Sequence, residues 1–178
     1  MAERDVTNIV FVGLGGQGVL RASDILAEAA FLTGHDVKKS EIHGMSQRGG
    51  SVSSDVRYGA EVFSPMTPPG EADYLVVLHP TQIENNLHCL REGGMLITTD
   101  LILGEHGDFD ALDEDNDTPV TRRNFNIALL GALSTHLDIP GPHWTRAICK
   151  YLPEKVHAEN LRVFEYGRAV RLNTKEAS

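Results

Sequence analysis

The chain is short of several things, and each shortage excludes something. Its 178 residues include 2 cysteines and 1 tryptophan, aromatics make up 6%, and 16 Lys and Arg are outnumbered by 25 Asp and Glu. The two thiols, Cys89 and Cys149, make no disulfide framework and have no metal-ligand spacing. They also fall short of the four thiolates an iron–sulfur cluster usually needs. Each lies among apolar residues that read as helix, so each is expected to be a buried thiol. A net charge of −9 argues against a nucleic-acid surface, which needs clustered cations. No run reaches the roughly 18 apolar residues of a membrane span, and no signal peptide is read at the N-terminus, so a cytoplasmic protein off the membrane is expected. With no linker or repeat in view, residues 1–178 read as one domain, its core over about 7–168.

Glycine, by contrast, is concentrated where it matters. Gly13-Leu14-Gly15-Gly16-Gln17-Gly18 follows the apolar run Asn8-Ile9-Val10-Phe11-Val12, and His43-Gly44-Met45-Ser46-Gln47-Arg48-Gly49-Gly50-Ser51 forms a second turn. The first places backbone N–H groups at a helix N-terminus, where an anion meets unpaired donors and the positive end of the helix dipole. The second adds a guanidinium, hydroxyls, an amide and an imidazole on compliant backbone. A phosphate or carboxylate site, or a subunit contact, would use both. The candidate residues are Gly13, Gly15, Gly16, Gln17, Gly18, His43, Ser46, Gln47, Arg48, Gly49 and Gly50. Gln17 is expected to face the same crevice as the second turn, and Arg48 is the only cation within that turn.

The pattern of elements predicts an α/β fold. A buried strand over 8–12 leads to a helix from Gln17 to about Thr33 with an apolar stripe at helical spacing, capped by Gly34. A short strand near Asp36–Lys38 completes a βαβ-like start. Residues 51–58 alternate apolar and polar, and Gly59-Ala60 turns them toward 61–64, which predicts a β-hairpin and hence a mixed sheet. A strand over 73–78 ends at His79-Pro80, where ligands bind in open α/β sheets. A helix over 81–91, a strand over 95–99, an acidic surface loop over 108–117 and helices near 123–137, 143–151 and 154–168 complete the chain, with 173–178 expected to fray.

Two chemistries fail on their own residues. Gly13-x-Gly15-x-x-Gly18 matches the dinucleotide fingerprint, but the acid that should end the second strand is missing: Asp36 opens that strand, which runs into Lys38 and Lys39. Asp113-x-Asp115-x-Asp117 has the start of a calcium loop, yet Thr118 and Asn124 occupy its glycine and glutamate positions. The serines lack a nucleophile elbow. A free-standing dinucleotide-binding oxidoreductase and a non-catalytic scaffold stay open as alternatives.

Three segments resemble the gamma-type subunit or domain of the 2-oxoacid:ferredoxin oxidoreductases, and within it the small (beta) subunit of the indolepyruvate type. They are residues 9–19, residues 39–52 and Asn126-Ile127-Ala128-Leu129-Leu130-Gly131-Ala132. The resemblance implies a three-layer, Rossmann-like α/β domain with helices on both faces of its sheet. It implies oxidative decarboxylation of a 2-oxoacid, indolepyruvate or another aryl pyruvate, to an acyl-CoA, with coenzyme A as co-substrate and electrons passed to ferredoxin. Thiamine diphosphate and iron–sulfur clusters would then belong to a large (alpha) partner subunit, this chain binding no cofactor alone. It would be a hetro-oligomer subunit, or a homodimer when isolated, inactive by itself, its glycine turns lining a coenzyme A site or the subunit interface.

Overall fold

The computed structural model describes residues 6–44, 49–104, 112 and 118–170. Strand β1 (Val6–Leu14) leads to helix α1 (Val19–Leu32), β2 (Asp36–His43), β3 (Ser51–Gly59) and β4 (Ala72–Val77). A single helical turn, α2 (Ile83–Asn86), sits between two 3-10 turns, before β5 (Leu90–Thr98) and the short α3 (Asp100–Leu103). Helices α4 (Phe125–Ser134), α5 (Gly141–Tyr151) and α6 (His157–Ala169) follow.

The sheet is mixed, in the order β2-β3-β1-β4-β5. β4 runs parallel to β1 and β5, while β3 runs antiparallel to both β1 and β2. The βαβ start is therefore split, because β3 inserts between β1 and β2. The hairpin also differs from the expected one: β3 pairs back onto β2, and residues 60–71 form no strand. The physical reason is Arg57, whose guanidinium binds the carbonyls of Ser64 and Met66 and so satisfies backbone groups that a strand ladder would otherwise take.

The two faces of the sheet differ sharply. On one, Ile9, Phe11, Val56, Val76, Leu78 and Ile97 join the main core with α1, α4, α5 and α6. Helix α4 is buried along its whole length, which suits its unbroken run Phe125-Asn126-Ile127-Ala128-Leu129-Leu130-Gly131-Ala132-Leu133. Helix α6 packs against it backbone to backbone: a Cβ on Gly131 would lie 2.1 Å from the Phe164 carbonyl oxygen, and one on Gly167 1.9 Å from that of Ala128. The other face buries only a small cluster, Val10, Val12, Ala72, Leu75 and Val77, under Ile83 of α2, Leu90 and Leu96. Helices thus lie on both faces, with all the long ones on one.

Several local expectations change. The helix expected over 81–91 is one α-helical turn flanked by 3-10 turns, and β5 starts at Leu90 instead of 95. Cys89 and Cys149 are half-buried, not enclosed, because Cys89 falls in the second 3-10 turn and neither belongs to the core. Of the acidic segment 108–117 only Leu112 is described, and it is buried in the main core. The rest of that segment and residues 171–178 lie outside the described residues.

Candidate functional site

The turn after β1 is closed by its own side chain. The Gln17 backbone N–H donates to the Leu14 carbonyl at 3.2 Å, and Gln17 Oε1 accepts from the Leu14 N–H at 2.8 Å. The carbonyl end of Gln17 is thus committed to the turn, and its remaining hydrogen-bonding capacity is the NH2 group. Gly18 then caps α1 at φ 82°, in the left-handed region. A Cβ there would lie 2.4 Å from Asn126 Nδ2, so the position excludes a side chain twice over.

The second turn is bonded to the first. Register alone brings Leu14 opposite Ser51, and Gly15 N–H donates to the Gly50 carbonyl at 2.9 Å. The Gly44 N–H donates to the Ser51 carbonyl at 2.7 Å and closes the loop between β2 and β3. Gly13, Gly15, Gly16, Gln17, Gly18, Gly49 and Gly50 therefore meet at one end of the sheet, joined by His43 in register across Val52. The His43 side chain is exposed, with Nε2 3.7 Å from a Glu41 carboxylate oxygen. Ser46, Gln47 and Arg48 lie outside the described residues. His79 ends β4 on the same rim, where its Nδ1 accepts from the Thr81 N–H and caps the 3-10 turn that follows.

The acid that might have served a dinucleotide ribose lies elsewhere. Asp36 pairs in register with Gly59 and, through it, Val6, at the opposite end of the sheet from the glycine turns. It accepts from Lys38 Nζ at 2.8 Å and from the Val62 N–H, which together hold its pKa below the usual carboxylate value. Lys39 is bound by Asp24 at 2.7 Å and by Glu41; burial disfavours its charge, but the two carboxylates outweigh that and raise its pKa. Neither lysine is available to the glycine turns.

Residues outside the sequence reading complete the site. A cleft of about 370 Å³ opens beside Gly16, Gln17 and Gly18, between Arg21, Arg123, Asn124 and Asn126 on one side and Leu152, Val156, Glu159 and Asn160 on the other. The N-terminal ends of α1, α4 and α6 all reach it. The first turn of α1 has neither an acidic residue nor a side-chain cap, so nothing in that turn balances the positive end of the helix. Two guanidinium groups face one carboxylate, Glu159, whose Oε1 accepts from Asn124 Nδ2 at 3.0 Å. Arg21 is braced by the Tyr151 carbonyl, and Asn126 Nδ2 reaches the Gly18 carbonyl at 3.2 Å. The cleft thus suits an anion with polar groups to spare. The signal available in the sequence was Arg122-Arg123-Asn124-Phe125-Asn126, a pair of cations and two amides just before an apolar helix.

Comparison with known proteins gives the family and the fold. The family pyruvate ferredoxin/flavodoxin oxidoreductase matches residues 8–170. The indolepyruvate oxidoreductase subunit IorB of Thermococcus kodakarensis is 43% identical over 91 residues, which take in 51% of this chain and 45% of that protein. The chain is thus matched over about half the length of such relatives. The gamma subunit of a keto/oxoacid ferredoxin oxidoreductase from Geobacter sulfurreducens superposes with a TM-score of 0.71 at 26% identity, over 90% of this chain and 95% of that one. A 2-oxoglutarate:ferredoxin oxidoreductase from Magnetococcus marinus, solved with 2-oxoglutarate, coenzyme A and succinyl-CoA bound, shares the fold at a TM-score of 0.77 and 22% identity, over 94% of this chain and 31% of that one.

Proposed function

The chain belongs to the pyruvate ferredoxin/flavodoxin oxidoreductase family, and on that premise we propose that it is the small, gamma-type subunit of a 2-oxoacid:ferredoxin oxidoreductase, working only with a larger chain. The reaction is oxidative decarboxylation of a 2-oxoacid to an acyl-CoA, with electrons delivered to ferredoxin. Its 2-oxoacid is indolepyruvate or another aryl pyruvate, as the names of its relatives suggest. The aryl group is read by the larger chain, since Trp144 is fully buried against Phe164 and serves the core.

The residues here do not fit the redox groups of such an enzyme. The chain has two thiols, and no three His, Cys, Asp or Glu side chains gather around one point among the described residues. We assign thiamine diphosphate and the iron–sulfur clusters, which would stabilise a carbanion and carry electrons, to the larger chain, since two thiols fall short of the four a cluster usually needs. What this chain offers is an anion site. The observation that carries the reading is the cleft where Arg21, Arg123 and the N-terminus of α1 converge beside the bonded turns. There the phosphates of coenzyme A would meet two cations and open backbone N–H groups; Arg48, outside the described residues, is a further cation that this reading calls on. The chain's part is to bind and orient the co-substrate; no bond is made or broken on its side chains.

The test is steady-state kinetics of the assembled enzyme carrying Arg48→Ala or Arg21→Ala. The coenzyme A reading expects a raised KM for coenzyme A with assembly intact. A scaffold would lose assembly or show unchanged kinetics. The isolated chain, anaerobic and supplied with thiamine diphosphate, coenzyme A and ferredoxin, is expected to be inactive.

A further inference from the structure

We propose that the open face of the sheet, around Asp55, is the surface on which the larger oxidoreductase chain docks. The inference rests on the subunit reading above and adds where the contact is made. Side chains in register point to the same face, so Ile42 shares the open face with Ser53, Val12 and Val77, and Ser40 shares it with Asp55, Val10 and Leu75. Two irregular segments cross this face beside Asp55. The 64–67 segment is pinned there by Arg57 Nη1 to the Ser64 and Met66 carbonyls, and by the Thr67 N–H to Asp55 Oδ2 at 2.7 Å. The turn holding Leu87 and Cys89 lies between Ile83 and Leu90, both of which pack on the same small cluster.

Exposed apolar side chains collect on these pieces. Among the described residues five large hydrophobic side chains are exposed: Phe63 at 87%, Phe31 at 63%, Met66 at 54%, Ile42 at 51% and Leu87 at 45%. Ile42 lies on the open face itself, Met66 and Leu87 lie on the segments that cross it, and Phe63 sits between Val62, bonded to Asp36, and Ser64, bonded to Arg57, at the entry to the first of them. Only Phe31, on α1, belongs to the helical side. Scattered exposed apolar groups need no explanation, but four gathered at one half-covered sheet face mark an interaction surface.

Charge says what kind of partner covers it. The ionic groups on the face are satisfied within the chain: Lys38 by Asp36, Arg57 by Asn8 and two carbonyls, Asp55 by the Thr67 N–H. The patch therefore demands no counter-charge and suits an apolar protein surface. A second copy fits poorly, because each chain carries −9 and association would add to that repulsion. The face also runs up to the rim that carries the glycine turns, since Ile42 pairs with Ser53 and, two residues earlier on that strand, Ser51 pairs with Leu14 beside the Gly15 N–H to Gly50 carbonyl bond. A larger chain completing that site reaches this face without a break.

The test uses the full chain, tagged and purified anaerobically from its native host with the large partner identified by bound iron and thiamine diphosphate, then titrated back onto that partner. The double variant Phe63→Lys/Met66→Lys and the single variant Ile42→Lys are compared with Phe31→Lys, all checked for an unchanged unfolding midpoint. Expected is a Kd raised about ten-fold or more for the first two and unchanged for Phe31→Lys. Equal binding by all variants, or wild type self-associating through this face with the partner binding elsewhere, overturns the docking face while leaving the subunit reading intact. Recovery of wild type with no iron- and thiamine-bearing chain overturns the subunit reading, and this inference with it.

Discussion

The side-chain amide of Asn126 donates to the carbonyl of Gly18 at 3.2 Å, across 108 positions of sequence, and so couples the N-terminus of α4 to that of α1. The same amide occupies the space into which a Gly18 side chain would project. The pair sets both the position of the glycine turn and one wall of the cleft.

Breaking that pair from either side should therefore have different costs. Asn126→Asp removes the donor and sets a carboxylate against the Gly18 carbonyl, a cost that the two helix N-termini offset only in part, so it should cost about 1 kcal/mol of stability and weaken coenzyme A binding further by repulsion. Gly18→Ala meets a left-handed backbone and a Cβ 2.4 Å from Asn126 Nδ2, and should cost about 2 kcal/mol or more. Urea unfolding of both variants checks the order; an unchanged midpoint for Gly18→Ala contradicts the geometry.

The contact between α4 and α6 admits no side chain. Gly167→Ala would drive a methyl to within 1.9 Å of the Ala128 carbonyl oxygen, and backbone cannot yield as a flexible side chain does. The helices must separate, at about 3 kcal/mol or more. Thermal unfolding should show a large drop in midpoint, with Gly34→Ala, whose added Cβ meets nothing within 4 Å, losing only its backbone preference.

Arg123 is exposed on the rim of the cleft, where the proposed function makes its guanidinium a contact for the anion. In the assembled enzyme Arg123→Ala should raise KM for coenzyme A about ten-fold and leave kcat near wild type, as loss of uniform binding does. The effect should shrink at high salt. A fall in kcat with unchanged KM would place Arg123 in some other role.

Asp55 lends itself to a pH test. Burial raises its pKa above the ordinary 3.8, against the lowering effect of the Thr67 N–H and Arg57. Between 3.8 and the raised value the folded chain holds a proton that the unfolded chain has shed. Its contribution to stability is thus greatest below the unfolded pKa and is lost as pH rises through the folded one. Asp55→Asn keeps an acceptor for the Thr67 N–H and removes the buried charge. It should be at least as stable as wild type at pH 7, and the difference should shift toward wild type as the pH falls to about 4. Denaturant midpoints across that range check the sign.

By itself the sequence determined the short-range features of this protein. The β-branched run before Gly13, the glycine turn and the stripe of α1 are local signals, because steric freedom and hydrophobic period act over a few residues. So is the missing acid for a dinucleotide: Asp36 opens β2 as read. Too few thiols for a cluster is likewise a matter of composition alone. Only the tertiary structure decided which strand β3 joins. Alternation marks a half-buried strand equally well beside 61–64 or between β1 and β2, and the choice falls to Arg57 capturing the loop carbonyls. The cleft was equally out of reach, since Arg21, Arg123 and Asn126 become neighbours of Gly18 only when three helix N-termini converge. Side-chain chemistry is written residue by residue, but a site is made by contacts far apart in the chain, and those are set by packing.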